Sequence, residues 1–225
     1  MRIALLLRGI VNLEDYIHHT GKVFNINYKD NLSNVLDNIN ILKQKHDVDI
    51  YLSTKHSNYN KDVINDFKPK NHIFLKLNTN QNDCLLAGLN LINDIYDFVI
   101  VTRFDLKLKV NLLDLNVDYE KFNVLWREDT KDHRVNDCLH LFNYKFINTF
   151  KDALIECPYK KCIHHICLYL KIDNHDINIL FKDYYDSNSD KQENPVYTIA
   201  RGYVIQDLSQ NFWNKYLKYK RFNFM

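Results

Sequence analysis

The stretch Asp97-Phe98-Val99-Ile100-Val101-Thr102-Arg103-Phe104-Asp105-Leu106 constrains the fold more than any other part of the chain. Phe98 to Val101 is an unbroken apolar run, which suits a strand covered on both faces, as in a parallel sheet. The run then meets Thr102, Arg103 and Asp105, which are costly to bury unless paired or ligated. Open α/β sheets place ligands at the carboxyl ends of their strands. A cation and a carboxylate at such an end therefore read as a ligand-binding edge. The plainer alternative is an Arg103–Asp105 pair that only closes the sheet.

The preceding segments supply the rest of a parallel sheet. Arg2 to Ile10 reads as a first strand ending at Arg8-Gly9, where Gly9 lets the chain turn and backbone N–H groups face a ligand. No further glycines follow in the GxGxxG pattern, so a dinucleotide fingerprint is absent. Glu14 to Tyr28 reads as irregular, with His18-His19 in a surface loop. Leu32, Val35, Leu36, Ile39 and Leu42 keep helical spacing after Asn31-Leu32-Ser33. Val48 to Leu52 is a second strand, ending in Ser53-Thr54-Lys55-His56. A short helix over Lys61 to Phe67 stops before Pro69, and Asn71 to Leu77 is a third strand. Thr79 or Asn80 caps a helix that carries Leu85, Leu86, Leu89, Ile92 and Ile95 on its buried side. Its start, with Gln81 and Asn82, offers N–H groups and amides that suit a nucleobase or phosphate; plain capping is the alternative. Strand, helix, strand, helix, strand, helix, strand over 1–108 is the pattern of a parallel α/β sheet with right-handed crossovers.

After Asp105 the alternation stops. Phe122 to Trp126 and Cys138 to Phe142 read as strands, and Tyr144 to Ile155 as a helix. Between them Arg127, Glu128, Asp129, Asp132, His133, Arg134 and Asp137 form the densest cluster of ionisable residues; a solvated hairpin end is the alternative. Ile177 to Phe181 is a short strand. Asp183 to Asn194 is polar and turn-rich, suited to a loop over a site. Val196 to Val204 contains Arg201-Gly202. The aromatic and basic tail from Phe212 to Phe222 reads as a helix docked on its own domain, with a membrane surface or RNA as alternatives.

Composition narrows the partners. Lys and Arg total 30 against 28 Asp and Glu, a net charge of +2, which gives no global case for nucleic acid or an anionic membrane. With 225 residues, 46% of them apolar, and only 4 Gly and 3 Pro, the chain suits one α/β domain with a helical annex. No apolar stretch approaches the roughly 20 residues of a membrane span. Arg8 interrupts Met1 to Leu7, and no small-residue cleavage site follows, so no secretory leader is read. That, with an odd count of 5 cysteines, points to a reduced, cytosolic compartment. Cys157, Cys162 and Cys167 with His164 and His165 do not have zinc-knuckle spacing; a helix packed through Ile163, Ile166, Cys167 and Leu170 accounts for them better.

Three features together resemble a known family. They are the opening strand with Leu5-Leu6-Leu7-Arg8-Gly9, the helix leading into Tyr96-Asp97-Phe98-Val99-Ile100, and the end Thr102-Arg103-Phe104-Asp105. With Arg134 to Leu139 and the strand and helix that follow, they resemble small GT-A-type glycosyltransferase-like proteins of large DNA viruses and bacterial surface-glycan clusters. The resemblance covers about residues 1–155. It implies a GT-A-like (Rossmann-like), mostly parallel sheet flanked by helices, with a mixed second half and a helical C-terminal annex. A single domain over 1–225 would hold a nucleotide-binding half (1–108), an acceptor and catalytic half (109–155) and an annex (156–225).

The resemblance further implies a nucleotide-sugar donor and a glycan or glycoprotein acceptor, handled in the cytoplasm (the host's, for a viral protein). In GT-A enzymes an Asp-x-Asp holds Mn²⁺ or Mg²⁺ against the diphosphate. Here Asp105 matches the second carboxylate and becomes the expected metal ligand, while Arg103 stands where the first would be. A single carboxylate is a weak anchor for a cation that wants about six oxygens, and Arg103 can instead pair with phosphate directly. Positive charge for the leaving diphosphate is expected from Arg8, Arg103, Arg127 or Arg201. The nucleotide base is expected near Gly9, Ser53 and Thr54, with Gln81 and Asn82 also on the donor. A base for the acceptor hydroxyl is expected from Asp137, Glu128 or Asp129, with Asp137 preferred. Two further readings of the same fold stand beside this one: a nucleotide-sugar or glycan binder without turnover, and an interaction domain with no ligand at this edge.

Overall fold

Leu5, Leu6 and Leu7 lie at the centre of a seven-stranded sheet, each at most 2% exposed. The computed structural model describes residues 1–17, 23–126, 135–157, 174–181, 197–199 and 202–203. In chain order the elements are β1 (Arg2–Gly9), β2 (Asn12–Ile17), β3 (Val23–Asn27), α1 (Leu32–Lys45), β4 (Asp47–Lys55), α2 (Asn60–Phe67), β5 (Asn71–Leu75), α3 (Gln81–Asn90), β6 (Phe98–Arg103), β7 (Leu106–Leu108), β8 (Phe122–Val124), β9 (Leu139–Asn143), α4 (Ile147–Glu156), β10 (Ile177–Ile179), β11 (Tyr197–Ile199) and β12 (Gly202–Tyr203). The main sheet runs β10-β8-β9-β6-β1-β4-β5. β6, β1, β4 and β5 are mutually parallel, and β9 is antiparallel to both β6 and β8. This is the mostly parallel, helix-flanked sheet with a mixed second half that the sequence leads one to expect.

Side-chain alternation along β1 builds two cores. Ile3, Leu5 and Leu7 pack with Val35, Ile39 and Leu42 of α1 and Val63 and Phe67 of α2. Ala4 and Leu6 pack on the other face with Leu85 and Leu89 of α3 and Phe150 and Leu154 of α4. The helices change face because the chain changes direction. From β1 it steps to β4 and β5 on one side, then returns to place β6 on the other side of β1. Right-handed crossovers then put α3 on the face opposite α1 and α2. The carboxyl ends of β1 and β6 therefore form a topological switch point, where open α/β sheets leave a crevice for ligands.

Three expectations change. Glu14 to Tyr28 is not wholly irregular: β2 and β3 form a hairpin, and a 3₁₀ turn occupies Tyr28–Asn31. The pairing that extends this hairpin comes from β12, far along the chain, and local pattern carries no trace of it. Leu106–Leu108, for which the sequence pattern predicts no element, is a strand paired with β11. Ile95 is 79% exposed, because α3 ends at Asn90 and the helical spacing no longer applies there. Ile92 is buried as expected.

The amino ends of the same strands carry a network of ion pairs. Lys70 Nζ lies 2.7 Å from Asp49 and 2.6 Å from Asp94, and Arg2 reaches the same two carboxylates at 3.2 and 3.1 Å. Tyr96 donates to Asp49 at 2.6 Å, and the Arg2 guanidinium lies 4.6 Å from the Tyr96 ring centre. Among the described residues no helix is long and apolar enough to cross a membrane.

Candidate functional site

The polar residues at the switch point are brought together by the register of the strands. Arg8 lies beside Arg103 across the β1–β6 pair and beside Ser53 across β1–β4, while Gly9 lies beside Thr54. The pairing continues one step past the end of β6, where Phe104 N–H donates to the Arg8 carbonyl at 3.2 Å. Gly9 adopts φ +115°, a conformation that favours glycine, and a side chain there would meet no atom within 4 Å. The backbone turn, not crowding, therefore demands the glycine.

Arg103 is the hub. Its Nε and Nη2 donate to the two oxygens of Asp105 at 2.8 and 2.7 Å, a bidentate pair. Its Nη1 lies farther from its neighbours, 3.4 Å from Asp137 Oδ1 and 3.9 Å from Cys138 Sγ. The Arg103 side chain is 15% exposed, against 8% for Asp105 and 6% for Asp137, so the guanidinium is the most open member of the group. Burial works against the Arg103 charge, but Asp105, Cys138 and Asp137 more than reverse this and hold its pKa well above the ordinary value.

Arg8 is the opposite case. It is 2% exposed, and its Nη2 donates to the backbone carbonyl of Asp137 rather than to a carboxylate. Its Nε has no hydrogen-bond partner among the described residues. Among the described residues no carboxylate comes within ion-pair distance of it. Burial lowers its pKa, though a guanidinium keeps its proton at any physiological pH. The fold thus keeps a permanent positive charge inside the edge of the sheet, with no direct carboxylate counter-ion among the described residues.

Asp137 faces this pair from the start of the segment leading into β9. Gln81, the first residue of α3, donates to its Oδ2 at 2.7 Å. The Cys138 thiol donates to Oδ1 at 3.4 Å. Burial, reinforced by Asp137, pushes the Cys138 thiol well up, so it is a hydrogen-bond donor and not a thiolate nucleophile. Asn82 is 1% exposed on the first turn of α3, behind the Asn80 cap, whose side chain accepts from Asp83 N–H at 2.9 Å. The described cysteines, Cys84, Cys138 and Cys157, are free and buried.

Two donor-binding expectations fall on residues buried in the framework. The Ser53 hydroxyl donates to the Cys84 carbonyl at 2.5 Å, joining β4 to α3 where Gly88 lets them approach; a Cβ on Gly88 would come within 2.7 Å of Ser53. Thr54 is fully buried next to Gly9, and its hydroxyl has no partner among the described residues. Arg127, Glu128, Asp129 and Arg201 lie outside the described residues, as do Cys162, Cys167, His164, His165, the 183–194 loop and the aromatic tail.

Sequence reasoning missed the residue that holds the Asp105 turn. Asn31 reads as a helix-starting residue, but its side chain makes no cap. It is 1% exposed and donates to the carbonyls of both Phe104 and Leu106, at 2.9 and 2.8 Å. Asn34, one turn on, exchanges two hydrogen bonds with the backbone of Leu108, at 2.8 and 2.9 Å. A pair of Asn residues on one face of α1 was the available signal. A cavity of about 20 Å³ beneath α1 has room for roughly one water.

The described residues do not fit a divalent cation at Asp105. Both of its oxygens accept hydrogen bonds from Arg103. No group of three or more His, Cys, Asp or Glu suited to a metal gathers among the described residues. What the arrangement offers instead is two guanidinium groups, a helix start and a buried carboxylate.

No family model matches the chain, and no curated protein matches it. Solved structures do. The match to 4-diphosphocytidyl-2C-methyl-D-erythritol synthase from Anaerococcus prevotii covers 96% of this chain and 98% of that one, at 13% identity and a TM-score of 0.50. A mutant Drosophila β1,4-galactosyltransferase 7 in complex with manganese, UDP-Gal and xylobiose matches over 93% of this chain and 73% of that one, at 13% identity and a TM-score of 0.46. The galactosyltransferase LgtC, in complex with donor and acceptor sugar analogues, matches over 78% and 72% at 13% identity and a TM-score of 0.46. At these identities the likeness is one of fold.

Proposed function

We propose that this chain is a nucleotide-sugar-dependent glycosyltransferase, with its donor diphosphate at the switch point between β1 and β6. The observation that carries the reading is Arg8, a buried guanidinium without a direct carboxylate partner among the described residues. Burying a charge is costly, and a buried cation at a strand-end switch point supports a site for the opposite charge there. Arg8, Arg103 and the start of α3 at Gln81 and Asn82 would take the diphosphate, since oriented N–H groups and guanidinium forks both favour phosphate. In this reading Gly9 turns the chain at the nucleoside side of that path, and the buried Thr54 and Ser53 support it from behind. Arg127 and Arg201 are assigned to the same anion.

In a direct displacement, the acceptor oxygen forms its bond to the anomeric carbon as the bond from that carbon to the diphosphate breaks. The diphosphate leaves with the electron pair, toward the two guanidinium groups. The acceptor hydroxyl gives its proton to the Asp137 carboxylate, which Gln81 and Arg103 hold in place. Glu128 and Asp129 are the alternative bases. In the division of labour proposed here, residues 1–108 bind the nucleotide, 109–155 supply the acceptor side and 156–225 form the annex. The reading includes a glycan or glycoprotein acceptor and a cytoplasmic location, as the sequence resemblance implies.

One observation favours a second reading, a donor-sugar or glycan binder without turnover. The Asp137 carboxylate accepts hydrogen bonds from Gln81 and Cys138 and faces Arg103, so it is well occupied for a base. A thermal-shift panel of nucleoside diphosphates and nucleotide-sugars tests both, because a ligand that binds only the native state raises the melting temperature. A shift with one nucleoside diphosphate, followed by hydrolysis or transfer of the matching nucleotide-sugar, is the expected result. A shift with no turnover on any acceptor selects the second reading in its donor-binding form, and no shift at millimolar ligand overturns donor binding in both readings.

A further inference from the structure

We propose that Arg103 is the built-in cation of this site, so that the donor diphosphate is bound without a divalent metal, and that Asp105 is a positioning residue for Arg103. The inference rests on the donor site proposed above. Mn²⁺ and Mg²⁺ need several oxygen ligands; Mg²⁺ wants them near 2.1 Å in octahedral array. Among the described residues Asp105 is the expected ligand, and its two oxygens already accept from Arg103 at 2.8 and 2.7 Å. The second buried carboxylate, Asp137, lies on the other side of the same guanidinium, 3.4 Å from Nη1. The guanidinium thus occupies the space between the two carboxylates, which is the place a bridging metal would need.

The remaining geometry suits a phosphate. A guanidinium has five N–H groups in a planar fork. The Nε–Nη2 edge of Arg103 is committed to Asp105, whereas among the described residues Nη1 makes only the longer contacts to Asp137 and Cys138. With the Asp105 edge keeping the plane of the group fixed, that loosely held nitrogen can exchange its longer contacts for an incoming phosphate oxygen. Anchoring one edge removes most of the rotamer freedom that an arginine otherwise loses on binding. Arg8 adds a second fixed positive charge on the adjacent strand. A divalent ion at Asp105 would have to displace the Arg103 fork and would bring a third cationic centre against two carboxylates.

The test is equilibrium binding of UDP, GDP and CDP to the full chain by calorimetry, in EDTA and again in Mn²⁺. For the nucleotide that binds, affinity should agree between the two conditions within about twofold. Arg103→Met should weaken binding by about a hundredfold or more. Asp105→Asn should weaken it by about tenfold in both conditions, with the fold retained by circular dichroism. If Arg103→Met does not fold, Arg103→Lys serves, since it keeps the charge and loses the fork; it should bind at least about tenfold more weakly in EDTA. Binding seen only with Mn²⁺, and abolished by Asp105→Asn, overturns this inference and leaves the donor site standing. No binding of any nucleotide in either condition overturns the donor site itself.

Discussion

The two ends of the same three strands treat charge in opposite ways. At the amino ends of β1, β4 and the approach to β6, Arg2 and Lys70 share Asp49 and Asp94, and most of these side chains are well exposed to solvent. At the carboxyl ends, Arg8, Asp105 and Asp137 are each no more than 6% exposed. Exposed pairs contribute little to stability and are screened by salt. Buried charges cost more than apolar side chains of the same size would. The amino end is therefore a peripheral clasp, whereas the carboxyl end is a charge arrangement that stability does not require. The expensive end is the one placed at the switch point, and this difference supports the proposal of a donor site there.

The sharpest way to break the comparison is to change the buried groups at the carboxyl end. Asp137→Asn should keep nucleotide affinity and lower sugar transfer by about 10²–10⁴-fold, the usual contribution of a general base; unchanged transfer moves that role to Glu128 or Asp129. Arg8→Met should weaken nucleoside diphosphate binding by about a hundredfold in calorimetry. It should also leave the melting temperature unchanged or raise it, because it removes a buried cation. A large fall in melting temperature with intact binding would make Arg8 structural and erase the contrast between the ends.

Asn31→Ala comes next. It leaves the buried carbonyls of Phe104 and Leu106 without their donor and should cost about 1–3 kcal/mol in urea unfolding, with weaker nucleotide binding as the Asp105 turn loosens. The smallest effects belong to the amino end. Lys70→Met should lower the melting temperature by about a degree or two, less at high salt, with nucleotide affinity unchanged. Its pH behaviour has a definite sign. Burial pushes the Asp49 carboxyl up, but Lys70, Tyr96 and Arg2 more than reverse this and hold it below the ordinary range. A carboxylate depressed on folding contributes its stability above its unfolded pKa of about 4 and loses it as pH falls through the folded value. Asp49→Asn should therefore flatten the acid limb of melting temperature against pH, while the neutral range falls slightly.

What was legible in the sequence follows the range of the interactions. β1, β4 and β6 announce themselves as apolar runs, and α1 and α3 by helical spacing, because these patterns reflect burial of nearby residues on one face. β7 and the β2–β3 hairpin do not, since β11 and β12, the strands that pair with them, lie far along the chain. The same holds at the site. Arg8, Arg103, Asp105 and Asp137 stand out singly as polar residues at strand ends, but only the register sets Arg8 beside Arg103, and only the fold turns both edges of one guanidinium toward two carboxylates. Asn31 was hidden for a different reason. At a helix start an Asn has an ordinary local explanation, and its bonds to Phe104 and Leu106 cross most of a core layer.

The pairing of β7 with β11 has a consequence for how the protein comes into being. β7 begins at the residue after Asp105, so the strand that braces the site is matched to one made much later. A ribosome releases β1 to β6, with all of Arg8, Arg103 and Asp105, well before β11 and β12 emerge. In that interval β3 and β7 present unpaired edges, which are templates for mispairing between chains. Contacts of such sequence separation also slow folding. The order of synthesis thus makes the final pairing a late step, completed only after the strand ends that carry Arg8, Arg103 and Asp105 have been made.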